Sequence, residues 1–339
     1  MLKEKSADYA FKERLQEAAE SIVLMANDVE IDYTSLLDFA NAHAFDAMEL
    51  PKWELPVFPE RAEADTIDFL MVGNSINFAY TDFITKRPYE SEYRGVAYKG
   101  AMGMWASLKR ALDAGMPVLD GSFLEGLTLK EASNIFETKS KIPMLQERLE
   151  ILNETGGVLA SKYEGRFHNM FDLSSIDNRA FGKGGLVEIL ASEFPSFKDD
   201  AVAHGISIEF GKRAQLAIAM VYEKFLGLGK PIFPREEEGK FTVFADYELP
   251  RALRDAGILK YSSGLAEKVD GGEPIASGRD EEVEIRAATI HAAKLIEEMI
   301  KHFNRSSQIN QLSLDYMLWK SCMEPGKKTN AHLCITTAY

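Results

Sequence analysis

Residues 212–227, KRAQLAIAMVYEKFLG, constrain the fold more than any other stretch. Behind its two basic residues, apolar side chains fall on most sides of a helix, so that helix has to be surrounded. The sequence supplies partners that are themselves helical. Residues 101–114, AMGMWASLKRALDA, carry apolar positions at helical spacing and stop at Gly115, with Pro117 beyond. Thr128 to Glu131 fits a capping box that opens a helix through Phe136. Residues 143–154 place Pro143 in a first turn and are expected to end at Gly156-Gly157. Residues 280–303 open on Asp280, Glu281 and Glu282, which suits the helix dipole. Val283, Ala287, Ile290, Leu295, Ile296, Met299 and Phe303 are its expected buried stripe.

Strand signals are fewer. TIDFLMV (66–72) and KFTVFADY (240–247) are short, β-branched and aromatic, and each fits a strand or an extended buried segment. The expectation is a mainly α chain, one helical domain over residues 1–339 with room for a small β element. Residues 1–60 read as an N-terminal helical extension, in which ELPKWELPVFP either closes over a site through Trp53 or simply packs.

Charge narrows the partners. A net charge of −14 disfavours a grip on polymeric DNA or RNA, where phosphate neutralisation supplies most of the affinity. Basic residues come only in short groups such as TKR, FGKRAQ and PGKK, so a small ligand is the expected partner. No apolar run reaches the length of a membrane helix, and the N-terminus, MLKEKSADYAFKERLQ, mixes charges like a surface helix. The two cysteines, Cys322 and Cys334, imply no disulfide framework and suit a reducing, cytoplasmic setting.

The usual catalytic motifs are missing. There is no phosphate-binding GxxxxGK[ST], no HExxH and no zinc-spaced cysteine pair. The histidines at 43, 168, 204, 291, 302 and 332 are scattered, and the serines of LSSID and KYSSGL lack a nucleophile elbow. Two carboxylates in aromatic settings remain. SLDYMLW (313–319) puts Asp315 on a helix face with Leu312, Tyr316 and Trp319, and an acid there must be paired, hydrogen-bonded or functional. Asp246 lies between Phe244 and Tyr247, just before a helix that Pro250 begins and Gly257 ends. An aromatic face beside a carboxylate suits a guanine-like base, with the ring stacked and its N1–H and 2-amino group donating. A helix N-cap explains Asp246 equally well. Two carboxylates are also the minimum set for cleaving a glycosidic bond, since a partly desolvated anion stabilises the ribosyl cation.

The segments INFAY (76–80), FGKRAQL (210–216), FADYELP (244–250), EVEIRAATI (282–290), LDYMLW (314–319) and HLCITTAY (332–339) occur in the order seen in the queuosine salvage proteins. The chain resembles that family from about residue 65 to its C-terminus. The resemblance implies a helical fold similar to DNA glycosylases and hydrolysis of queuosine 5′-monophosphate to release queuine. It implies Asp315 as nucleophile or oxocarbenium stabiliser, Phe244 as the stacking ring, Asp246 as the reader of the base edge, and Asn77, Tyr316 and Lys320 as substrate-binding residues. Lys212 and Arg213 are offered to the 5′-phosphate on charge alone, or else pair with surface acids. Arg286 is expected in a structural salt bridge. No metal, organic cofactor, nucleic-acid polymer or membrane enters this reading. Thr81 stands where the family carries an aromatic residue, Asn74 where an acid is common, and Lys320 where an acid could meet the cationic amine of the queuine arm. A non-catalytic deazapurine-nucleotide-binding protein and a polymer-directed glycosylase are the alternatives.

Overall fold

The computed structural model describes residues 10–136, 140–323, 326 and 329–339, and helices dominate it. The first are α1 (Phe11–Val23), α2 (Tyr33–Ala42) and α3 (Ala64–Ser75). Then come α4 (Ala101–Asp113), α5 (Gly121–Glu125), α6 (Leu129–Phe136) and α7 (Leu145–Lys162). α8 (Leu186–Glu193), α9 (Lys212–Gly227), α10 (Glu248–Asp255) and α11 (Ser263–Asp270) follow, and α12 (Asp280–Phe303) and α13 (Gln311–Cys322) complete the set. The mainly α expectation holds.

Among the described residues, strands occur only as four two-stranded pairs. β1 (Val29–Ile31) runs antiparallel to β6 (Leu259–Tyr261), with Val29 opposite Tyr261. β2 (Glu90–Tyr93) pairs with β3 (Val96–Lys99), and β4 (Asp200–Ala203) with β5 (Ile206–Glu209), both antiparallel. β7 (Pro274–Ile275) runs parallel to β8 (Leu333–Cys334). Residues before 60 are tied into the rest of the fold. β1 joins the C-terminal half through β6, and Phe11, Leu15, Ala19 and Ile22 of α1 belong to the main core, packed on α12. The first nine residues of the expected N-terminal surface helix lie outside the described part.

α9 forms where its surface requires it to, with every residue from Ala217 to Phe225 buried. α12 is enclosed on all sides from Glu282 to Ala293; its expected stripe then thins, since Leu295 and Met299 are half-buried and Phe303 is exposed. The Thr128–Glu131 capping box is present, with Thr128 N–H donating to Glu131 Oε2 at 2.9 Å.

Three expectations need correction or refinement. TIDFLMV lies inside α3, where burial on every side outweighs the preference of β-branched and aromatic residues for strands. The helix expected to end at Gly156-Gly157 runs on to Lys162. Gly156 is there because α5 crosses α7 at that point: a Cβ on it would lie 2.2 Å from the Glu125 backbone nitrogen. KFTVFADY is extended but joins no ladder. Its Thr242 N–H donates to Gln215 Oε1 at 3.1 Å and its Phe244 N–H to Asp315 Oδ1 at 2.7 Å. Side chains of α9 and α13 thus satisfy the backbone that a neighbouring strand would otherwise satisfy.

Candidate active site

Those two side-chain contacts hang the 242–246 segment over a cavity of about 250 Å³ between α9 and α13. α9 contributes Lys212, Leu216, Met220 and Glu223, one stripe at helical spacing. α13 contributes Leu312, Asp315, Tyr316 and Trp319, and the first turn of α4 closes one side with Ala101 and Met102.

α13 is opened by a reciprocal capping box between Asn310 and Ser313, which fixes where its first turn begins. Asp315 follows one turn into the helix and its half-buried side chain lines the cavity. Burial raises its carboxyl well above the usual carboxylate range. The Phe244 N–H opposes that shift, the negative Asp246 adds to it, and Lys212 opposes it.

The two Asp246 oxygens face different ways, one to the start of α10 and the other to the cavity. Oδ1 accepts from the Glu248 and Leu249 N–H groups at 2.8 and 3.3 Å, capping α10. Oδ2 lies 3.6 Å from Lys212 Nζ and faces the same cavity as Asp315 and Phe244. Burial lowers the pKa of the Lys212 ammonium and the Asp246 carboxylate raises it.

A buried ion pair behind the cavity fixes this arrangement. Arg286 grips Asp199 through two hydrogen bonds of 2.9 and 2.7 Å and donates from Nε to Ala245 O at 3.0 Å. Asp199 Oδ2 also accepts the Lys212 N–H at 3.0 Å, so one carboxylate positions both the start of α9 and the 244–246 turn. The expected structural salt bridge of Arg286 is therefore also what holds the residue between Phe244 and Asp246. The Tyr339 ring lies over the Arg286 guanidinium, 4.3 Å from centroid to carbon. In INFAY, Arg148 is buried and donates to the carbonyls of Ile76, Phe78 and Ala79. That leaves Asn77 and Tyr80 facing the cavity, with Tyr80 donating to Asn77 Oδ1 at 2.7 Å.

Two expected site residues lie elsewhere. Arg213 turns away from Lys212 and is buried, donating to the Ser75 and Ser196 carbonyls between the Phe78 and Phe197 rings. Successive helical residues point about 100° apart, and of this pair only Lys212 lines the cavity. Lys320 is exposed on the far side of α13, 3.2 Å from Glu49 and near the Tyr316 ring. It does not line the cavity. Asn74 lies beneath Asn77, accepting from its amide at 2.9 Å, and Thr81 lines the rim. Among the described residues no group of histidine, cysteine and acidic side chains has a metal-binding arrangement. No described helix is long and apolar enough to cross a membrane, and both cysteines are free thiols.

The family model of the queuosine salvage proteins matches residues 57–339. The chain belongs to that family. A relative from Sphaerobacter thermophilus is 34% identical over 298 residues, 88% of each chain. One from Mus musculus is 32% identical over 91% of this chain and 93% of its own. One from Schizosaccharomyces pombe is 28% identical over 92% of each. All three are named queuosine 5′-phosphate N-glycosylase/hydrolase. The ordered segments that carry the resemblance meet in space: INFAY, FGKRAQL, FADYELP and LDYMLW line the cavity, while EVEIRAATI and HLCITTAY brace it through Arg286 and Tyr339.

Outside the family match, Pro51 and Trp53 cover one side of the cavity. Trp53 Nε1 donates to Glu223 Oε2 at 2.8 Å and its carbonyl accepts from Lys224 Nζ at 2.8 Å. Glu223 and Asp199 were not singled out from the sequence. For Glu223 a signal existed, an acid inside a helix otherwise apolar on most sides.

Proposed function

We propose that this chain hydrolyses the N-glycosidic bond of queuosine 5′-monophosphate, giving queuine and ribose 5-phosphate. The observation that carries the reading is one cavity shared by Asp315, Phe244 and Asp246, with the Phe244 N–H bonded to Asp315. The names of the relatives support it.

The 7-deazaguanine ring stacks on Phe244, and Asp246 accepts from the base edge through Oδ2. Its other oxygen is committed to the start of α10, and Lys212 Nζ lies 3.6 Å from Oδ2. Because Lys212 is engaged with Asp246, the phosphate lies towards the rim, where Lys99 lines the cavity. Asn77 and Tyr316 bound the ligand, Asn77 from the α3 side and Tyr316 from α13.

As the bond from C1′ to the base breaks, its electron pair goes to the base and positive charge appears on the ribose. A 7-deazapurine has no N7 to protonate, so stabilising that cation carries more of the barrier than for an ordinary purine. Asp315 is suited to this because its anion is poorly solvated in the empty cavity. A sugar cation supplies the missing counter-charge, so the attraction is stronger in the transition state than in the ground state. Water then adds to C1′, and its proton balances the charge on the departing base. Each step falls to a side chain or to water, and the reading is metal-independent. A cytoplasmic location, the absence of a polymeric partner and a likeness to DNA glycosylases belong to the same proposal.

The test is to incubate the purified chain with queuosine 5′-monophosphate and follow free queuine by mass spectrometry. Queuine appearing in step with ribose 5-phosphate is the expected result. No release at stoichiometric enzyme would remove the substrate assignment.

A further inference from the structure

Glu223 is a cavity acid with no part in the proposed bond cleavage. It stands in the last part of α9, at the opposite end of the cavity-facing stripe from Lys212. Eleven residues separate the two, about 16 Å along the helix at 1.5 Å per residue. The residue is 3% exposed, and Oε2 is taken by the Trp53 N–H. Among the described residues no lysine, arginine or histidine comes within ion-pair distance of it. The adjacent Lys224 is directed to the Trp53 carbonyl instead. The other charges that act on it, Asp315 and Glu238, are both negative, and with burial they raise its carboxyl well above the usual range.

A buried carboxyl without a counter-ion is a costly way to hold one indole N–H. A glutamine would accept the same hydrogen bond and bury no ionisable group. The cavity therefore favours a cation next to Oε1. Lys320 does not line the cavity.

We propose that Glu223 anchors the protonated secondary amine carried on the side arm of the base, which makes it a specificity residue for aminomethyl-substituted deazaguanine nucleotides. The placement rests on the function proposed above. Asp246 reads one edge of the base near Lys212, and the arm leaves the opposite side of the bicycle towards Glu223. Asp315 lines the same cavity as both carboxyls. The ammonium enters with its proton, Glu223 releases its own to solvent, and Oε1 accepts from the ligand N–H while Trp53 keeps Oε2.

The experiment compares kcat/KM for queuosine 5′-monophosphate and for 7-deazaguanosine 5′-monophosphate, which lacks the arm, in the wild type and in Glu223→Gln. The wild type should prefer the armed nucleotide. In Glu223→Gln that preference should fall at least about tenfold, through KM, as loss of a buried charge partner requires. An unchanged preference, or an equal kcat loss on both substrates, would overturn the assignment. Equal wild-type kcat/KM values on the two nucleotides would overturn it without any variant. If neither nucleotide is hydrolysed, the proposed function fails separately. The readout is then the binding of queuine against 7-deazaguanine, followed by tryptophan fluorescence. Equal affinities, or no binding of either base, would refute the anchor.

Discussion

Asp315→Asn is the perturbation most closely tied to the proposed chemistry. Asparagine has nearly the same shape, and its carbonyl oxygen can still accept the Phe244 N–H that Asp315 accepts at 2.7 Å. The 242–246 segment should therefore keep its place, and the change removes charge and little else. A unit charge about 4 Å from a forming sugar cation contributes about 4 kcal/mol at an effective dielectric near 20. Loss of an electrostatic partner of the transition state lowers kcat by about 10²–10³-fold in enzymes generally, and this site should fall within or somewhat beyond that range. Queuine binding should survive, because the proposed site holds the base through Phe244 and Asp246. Stability should hold or rise, since a carboxyl that burial disfavours as an anion is gone. The assay is single-turnover release of queuine at saturating nucleotide, with a thermal melt as control. A kcat within threefold of wild type, in a variant that melts normally, would refute the electrostatic role.

Three further outcomes follow from the packing. Arg213→Gln should lower the urea midpoint, by a loss of about 3 kcal/mol or more, while leaving KM unaffected in the folded protein. Two carbonyls lose a charged donor that does not line the cavity. Gly156→Ala should destabilise by about 1–3 kcal/mol in the same denaturation assay, despite the better helix propensity of alanine. Its Cβ meets the Glu125 backbone, which cannot move aside as a flexible side-chain end could. His332 is buried near the Arg286 cation, and its pKa is pushed down to about 3 from 6.5. The folded protein binds fewer protons than the unfolded chain between those values, so stability should be lost as pH falls from 6.5 towards 3. Melts of the wild type and His332→Gln across that range should diverge, with the variant losing less.

The helices could be read from the sequence where burial and periodicity agree. Residues 212–227 and 280–303 are bounded as their apolar pattern and acidic first turn predict. Reading failed where a distant neighbour decides the local state. TIDFLMV is helical because it is enclosed, and Gly156 sits mid-helix because α5 crosses there. Asp315, Asp246 and Phe244 could be found because an acid among aromatics is chemically unusual, and Lys212 because it opens an apolar helix. The direction of Arg213 depends on which side of α9 meets α3 and α8, and the burial of Asp199 depends on Arg286 arriving from another helix. Neither is encoded in local spacing.

The most direct measurement is a crystal structure of Asp315→Asn holding intact queuosine 5′-monophosphate. The account predicts the anomeric carbon in van der Waals contact with side chain 315, the base stacked on Phe244 and its edge at Asp246. A ribose turned away from residue 315, or a base bound outside the cavity beneath Trp53, would contradict it.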